Sequence, residues 1–183
     1  MSPKCTCSSG GGGKLAAVVV AGLVIASGAH SAGGHKPAAA AVVADAVGHP
    51  ADVAEAAQAI AYAKAQVGKW YAWGGTGPGV FDCSGLVMRA WQHAGVSMHR
   101  VSQDQWRFGH KVGSPQPGDL VFFAGADGTR AAPGHVGIVL GGHWMVEAYA
   151  TGYRIRVSQF GTAASAPGDG NPVGFVDPAL GGD

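Results

Sequence analysis

The order of helical and strand-like segments is the feature of this sequence that most limits its possible folds. Residues 52–67 are alanine-rich, with an acid at the start and a glycine after the end, and predict a helix. Residues 83–93 and 102–108 predict two more. Four strand-like runs follow, separated by glycine-rich turns: residues 120–123, 135–140, 144–148 and 154–157. Helices followed by an antiparallel meander predict an α+β fold, with a helix packed on the sheet.

The first 29 residues predict an export signal. Residues 15–26 are an uninterrupted run of apolar and small residues. Its length fits the range of about 7 to 15 residues expected of a signal peptide and is short of the roughly 18 that span a bilayer. Small residues favour cleavage after Ala29. An uncleaved anchor is the alternative.

Residues 30–50 consist mainly of Ala, Gly, Val, His and Pro and predict a linker before one domain over residues 51–180. An exported chain of this kind would be secreted or associated with the cell envelope. We expect a monomer with no stable membrane insertion after processing.

Charge and cysteine content exclude several classes of function. Lys and Arg total 12 against 11 Asp and Glu, so a net charge of +1 gives no electrostatic basis for binding nucleic acid. Of the three cysteines, Cys5 and Cys7 would leave with the signal, and Cys83 would remain without a disulfide partner. Zinc-finger spacing, H-E-x-x-H and G-x-S-x-G are all absent from the sequence. We expect no metal and no cofactor.

Cys83 stands where a loop gives way to a helix. Residues 70–81 are aromatic and then glycine-rich, and Asp82 is a suitable N-cap for the helix that follows. The first-turn amides and the helix dipole favour a thiolate over a thiol at such a position. Cys83 is therefore a candidate nucleophile, with a buried structural cysteine as the alternative.

A thiolate nucleophile needs a base, and the base needs a partner that orients it. His135 begins one predicted strand and Glu147 lies in the next, and the Gly141-Gly142 turn joins the two. Neighbouring antiparallel strands can bring such residues together. Glu147 has apolar neighbours, among which a carboxylate is costly unless it is paired. A structural glutamate bonded to backbone is the alternative.

Four motifs, in this order, resemble those of the NlpC-type family of bacterial cell-wall cysteine endopeptidases. They are YAWGG at 71–75, DCSG at 82–85, PGDLVF at 117–122 and GHVGI at 134–138. The resemblance covers roughly residues 51–177. It implies a papain-like α+β fold with the nucleophile at a helix N-terminus packed on an antiparallel sheet. It also implies hydrolysis of peptidoglycan stem peptides, usually between γ-D-glutamate and a diamino acid.

The resemblance implies a role for each matching residue. Cys83 would be the nucleophile, His135 the general base and Glu147 the third polar residue, at a position that is most often histidine in the family. Tyr71 would line the site and stabilise the oxyanion, unless it serves only aromatic packing. The positions implied to contact the stem peptide are Asp82, Ser84, Arg100 and Ser102, although Asp82 could simply cap the helix and Arg100 could simply be solvated.

Other activities are compatible with the same motifs. An amidase or an acyltransferase of the same fold would use the same nucleophile on a different bond or acceptor. A non-catalytic wall-binding module would keep the fold without the reaction.

Overall fold

The computed structural model describes residues 50–163 and 170–180. The predicted signal over residues 1–29, and the predicted linker up to residue 49, lie outside the described residues. So do Cys5 and Cys7. Within the described ranges, no helix is long and apolar enough to cross a membrane.

Three helices precede the main sheet, as the sequence predicts. They are α1 (Pro50–Lys64), α2 (Cys83–His93) and α3 (Ser102–Phe108). The prediction for α1 extends three residues too far, because the chain turns after Lys64 and Gly68 adopts a positive φ of 91°. The limits of α2 and α3 are as predicted.

Eight strands complete the fold. Two of them, β1 (Trp70–Tyr71) and β2 (Val80–Phe81), form a short parallel pair beside α2. The other six are antiparallel in the order β3-β8-β4-β5-β6-β7. Their limits are β3 (His110–Val112), β4 (Leu120–Phe123), β5 (His135–Gly141), β6 (Trp144–Glu147), β7 (Arg156–Gln159) and β8 (Gly174–Asp177).

The predicted meander is confirmed as β4 to β7, and the α+β class with it. The position of the last strand differs: β7 begins at Arg156, two residues later than predicted, because Arg154 forms only an isolated bridge to Trp70. The sequence analysis missed β3 and β8, which pair with each other across more than sixty residues of chain. Strands this short have too few residues for an alternating pattern, and pairing between distant segments cannot be recognised from either segment alone.

The buried core explains why α2 is held rigidly. Leu86, Ala90 and Trp91 of α2 are buried, together with the side chains on one face of the sheet. The opposite face of the sheet has its own apolar cluster, which includes Phe123 and Met145. Since burial of a large apolar side chain contributes roughly 1.5–3 kcal/mol, this packing fixes the N-terminus of α2 relative to β5 and β6.

Candidate active site

Asp82 fixes the first turn of α2 and so positions Cys83. Its carboxylate accepts a 2.7 Å hydrogen bond from the Gly85 backbone N–H and a 2.9 Å bond from that of Gly74. The predicted N-cap is therefore confirmed. A Cβ atom on Gly85 would collide with the Gly75 carbonyl, so the glycine lets the loop lie directly against the helix.

Cys83 is the first residue of α2 and the free cysteine of the described part of the chain. It is 7% exposed, and its Sγ lies 3.8 Å from the carbonyl oxygen of Gly134, the residue before His135. The helix start and the start of β5 thus meet at this sulfur.

His135 and Glu147 form a buried pair across the hairpin of β5 and β6. The imidazole Nε2 lies 2.8 Å from Glu147 Oε2, so the expected contact between these side chains is present. Glu147 is fully buried. Its other oxygen, Oε1, accepts hydrogen bonds from Arg156 Nε at 2.8 Å and Ser158 Oγ at 2.7 Å. These bonds to side chains argue against the alternative of a glutamate held only by backbone.

The surroundings of His135 favour its protonated form. Burial lowers the pKa of this imidazole, but hydrogen bonds with Cys83 and Glu147, and the charges of both, raise it by more, from 6.5 to about 10. Burial likewise opposes ionisation of Glu147, yet His135, Ser158 and Arg156 together hold the pKa of Glu147 below its ordinary value. An imidazolium and a carboxylate therefore stabilise each other beside Cys83.

Arg100 forms an ion pair with the helix cap. Its Nη2 lies 2.6 Å from Asp82 Oδ2, and its Nη1 donates to Asp82 Oδ1 at 3.1 Å and to Ser84 Oγ at 3.0 Å. The hydrogen bond with Asp82 raises the pKa of the guanidinium, which stays charged. Asp82 thus does more than cap α2, and Arg100 is more than a solvated side chain.

Ser102 and Gln105 attach α3 to the site. Ser102 Oγ donates a 3.0 Å bond to the Pro133 carbonyl, close to the start of β5. Gln105 Nε2 donates to the carbonyls of Ser84 and His99 at 3.0 and 2.8 Å. These bonds connect α3 to both chain segments that carry the candidate nucleophile and base.

Tyr71 stands beside Cys83 on β1. Burial raises the pKa of its phenol to about 12, and the charges of Cys83, Asp82 and Asp127 act in the same direction, while Arg100 opposes them. The phenol therefore stays neutral at physiological pH and can donate a hydrogen bond.

Two cavities meet at Cys83. The larger, about 820 Å³, extends past His135 and Tyr149, and the smaller, about 690 Å³, extends past Arg100 and Ser102. Both are lined by Tyr71, Trp73, Cys83, Asp127 and Gly134. All the predicted site residues border these cavities except Glu147, which is buried and bonds His135. In the described ranges, no group of three or more His, Cys, Asp or Glu residues could hold a metal ion.

Some residues of this region were not identified from the sequence. Trp73 is 77% exposed and borders both cavities. It lies in the quoted YAWGG motif, but that motif alone does not show its exposure. Arg156 and Ser158 of β7 both bond Glu147. They were not identified because the sequence does not give the register between β6 and β7, and the predicted strand ended before Ser158.

Comparison with known proteins identifies the family of this domain. The family model described as "NlpC/P60 family" matches residues 68–167. The probable endopeptidase p60 of Listeria monocytogenes is 40% identical over 97 residues, which are 52% of this chain and 19% of that protein. The probable endopeptidase Rv2190c of Mycobacterium tuberculosis is 44% identical over 95 residues, which are 50% of this chain and 23% of that protein. The matched part thus spans less than a quarter of either relative.

Solved structures show the same architecture. An NlpC/P60 family protein from Bacillus cereus matches with a TM-score of 0.60 and 26% identity, over 67% of this chain and 40% of that one. The peptidoglycan hydrolase RipB of M. tuberculosis matches with a TM-score of 0.54 and 30% identity, over 66% of each chain. The expected papain-like α+β fold is therefore confirmed.

Proposed function

The chain belongs to the NlpC/P60 family, and from this premise we propose that it is a cysteine endopeptidase that hydrolyses the stem peptides of peptidoglycan. The observation that carries the proposal is the position of Cys83 at the N-terminus of α2, beside the buried His135–Glu147 pair. Support for the substrate comes from the similarity to RipB, which is described as a peptidoglycan hydrolase.

The first half-reaction is acyl transfer to sulfur. The Cys83 thiolate attacks the carbonyl carbon, and the electron pair of the carbonyl moves to its oxygen. As the tetrahedral intermediate collapses, the carbon–nitrogen bond breaks and protonated His135 gives its proton to the departing amine. Because Nε2 of His135 is bonded to Glu147, the proton leaves from Nδ1.

The second half-reaction returns the thiolate. Neutral His135 takes a proton from water, the resulting hydroxide attacks the thioester, and the carbon–sulfur bond breaks to release a carboxylic acid and the Cys83 thiolate. Glu147 holds the neutral imidazole in one tautomer and stabilises the imidazolium whenever His135 carries the second proton.

Tyr71 stabilises the oxyanion together with the Cys83 backbone N–H. A neutral phenol beside the nucleophile is a suitable donor, and the N–H lies at the positive end of the α2 dipole. Burial of the site strengthens both interactions.

We assign the cleaved bond to the link between γ-D-glutamate and a diamino acid. The leaving amine must reach His135, so the diamino acid half occupies the larger cavity and the acyl half extends toward Arg100. The larger cavity carries the opposite charges of Asp127 and Arg130, which suit the charged groups of a diamino acid. Ser84, Ser102 and the Asp82–Arg100 pair border the acyl half.

An exported monomer fits this activity, since the substrate lies outside the cytoplasmic membrane. The proposed order is a signal over residues 1–29, a linker over 30–50 and the peptidase domain over 51–180. N-terminal sequencing of the secreted protein tests the cleavage site, because a mature chain that starts at His30 is the expected product.

The activity is tested by incubating the purified chain with muropeptides and identifying the products by mass spectrometry. We expect products split between glutamate and the diamino acid, and no turnover by Cys83→Ala or His135→Ala. His110→Ala is the matched control, because His110 is exposed on β3 away from the cavities. If Cys83→Ala cleaves as well as wild type, the proposed nucleophile is wrong.

Product masses also separate the alternatives. Release of the whole stem peptide from the sugar would indicate an amidase, and a product joined to a second amine would indicate an acyltransferase. Binding to cell walls with no product would indicate a non-catalytic module.

A further inference from the structure

The Glu147 carboxylate is bonded on both of its oxygens. Oε2 meets His135, while Oε1 accepts the hydrogen bonds from Arg156 and Ser158. With a fully buried carboxylate, each of these three contacts replaces one that water would otherwise supply. The orientation of the Glu147 carboxylate therefore depends on side chains of β7 as well as on the position of Glu147 in β6.

The register of the strands explains how β7 reaches the carboxylate. Glu147 pairs directly with Arg156, and Ser158 pairs with Met145, two residues earlier on β6. Since side chains alternate along a strand, Arg156 and Ser158 lie on the same face of β7 as Glu147 on β6. This arrangement brings a charged donor, Arg156, and a neutral donor, Ser158, to the Oε1 atom of Glu147.

Aromatic rings hold the guanidinium in place. Its Cζ lies 4.6 Å from the centre of the Tyr149 ring and 5.4 Å from that of Tyr153, and the two rings meet edge to face. A cation over an aromatic face is stabilised by about 0.5–1 kcal/mol or more. Tyr149 also contacts the His135 ring edge-on, so one aromatic side chain bridges the arginine and the imidazole.

We propose that Arg156 and Ser158 are positioning residues of the reaction, which fix the Glu147 carboxylate against Nε2 of His135. Arg156 also balances the charge of that carboxylate. The proposal rests on the proposed hydrolase activity. Its chemical basis is that His135 must give up a proton in one half-reaction and recover it in the next, so its protonated form must not be stabilised too strongly.

A charge-balancing role of Arg156 predicts a change in the pKa of His135 that a purely structural role does not predict. Without the Arg156 cation, the Glu147 carboxylate acts on His135 uncompensated, and the pKa of the imidazole rises further. If Arg156 only packed against its neighbours, its loss would leave the charge balance of the Glu147–His135 pair unchanged, and the pKa of the imidazole would not rise. In Arg156→Gln, Ser158 still donates to Glu147 Oε1 and keeps the carboxylate against His135. The other titratable or charged groups bordering this part of the cleft are Cys83, Tyr71, Tyr149, Asp127 and Arg130.

The test compares Arg156→Gln, Arg156→Lys and Ser158→Ala in the full chain. We expect Arg156→Gln to lower kcat about 10- to 100-fold, the size of effect seen when a residue that orients an active-site side chain is lost. KM should stay within about twofold of the wild-type value. Arg156→Lys restores the charge and one donor and should recover most of the loss. Ser158→Ala removes a single hydrogen bond and should lower kcat about tenfold or less.

Arg154→Gln is the matched control. Arg154 lies two residues away, stacks on Trp70 at 3.9 Å and donates to the Gly68 carbonyl, with no described contact to Glu147. It should leave kcat unchanged. Thermal unfolding of each variant checks that the fold is retained.

Titration of the His135 ring by NMR, without substrate, separates this inference from the proposed function. A pKa higher in Arg156→Gln than in wild type, and restored in Arg156→Lys, supports the inference. An unchanged or lower pKa overturns it, whether or not wild type cleaves muropeptides. Failure of wild type to cleave any muropeptide would overturn the proposed function alone.

Discussion

The Arg100 guanidinium meets the Asp82 carboxylate at two points, with Nη1–Oδ1 and Nη2–Oδ2 distances of 3.1 and 2.6 Å. The same carboxylate binds the backbone N–H groups of Gly74 and Gly85. One buried side chain therefore joins the aromatic loop, the first turn of α2 and the segment that leads into α3. All three segments border the smaller cavity, together with Asp127 and Gly134.

Asp82→Ala should lower the free energy of unfolding by about 1–3 kcal/mol, since it removes a helix cap and leaves backbone donors unpaired. Asp82→Asn keeps an acceptor for the helix cap but removes the ion pair with Arg100. Its free energy of unfolding should therefore fall by less than that of Asp82→Ala. Urea denaturation measures both. Equal losses in the two variants would mean that the charge, rather than the cap, dominates.

The stability supplied by His135 should decline at alkaline pH. Its folded-state pKa is raised from 6.5 to about 10, so the folded form binds the proton more tightly than the unfolded form. The contribution is complete below about pH 6.5 and is lost as the pH rises through about 10. Denaturation of wild type and His135→Gln should show the difference between them narrowing over this window. A difference independent of pH would contradict the assignment.

Tyr71→Phe should lower kcat by about 10- to 100-fold with little change in KM, because the lost hydrogen bond forms in the transition state. The aromatic ring, and so the packing on β1, is kept. Tyr62→Phe is the control, since Tyr62 lies on α1 and outside both sets of cavity-lining residues. If Tyr71→Phe retains full activity, Tyr71 serves only packing.

Asp119→Asn should stabilise the domain more at neutral than at acid pH. Burial raises the pKa of Asp119 from 3.8 to about 6, against a hydrogen bond from the Gln116 N–H and with help from the charge of Asp177. Wild type therefore loses stability as the pH rises through this range, whereas the variant does not. We expect the advantage of the variant to grow by roughly 1–3 kcal/mol between about pH 4 and 7. Asp104→Asn, on α3, is the control.

Much of the fold was predictable because its signals are local. The Asp82 cap and the apolar face of Leu86, Ala90 and Trp91 define α2, and burial follows that face. Strand β8 was missed because a four-residue strand gains its stability from β3 and β4, which are distant in the chain. The partners of Glu147 on β7 were missed for a similar reason. The register between β6 and β7 decides which residues lie opposite Glu147, and the predicted strand ended at residue 157, before Ser158.

The sequence by itself determined the helix that presents Cys83, the hairpin that relates His135 to Glu147, and the family motifs. These depend on capping, periodicity and turns, which act over a few residues. Only the tertiary structure decided that Arg100 closes on Asp82, that Arg156 and Ser158 bind the second oxygen of Glu147, and that two cavities meet at the thiol. Those relationships arise because a buried charged group is costly unless it is paired. Its partners lie on segments that are distant in the chain and become neighbours only when the core packs.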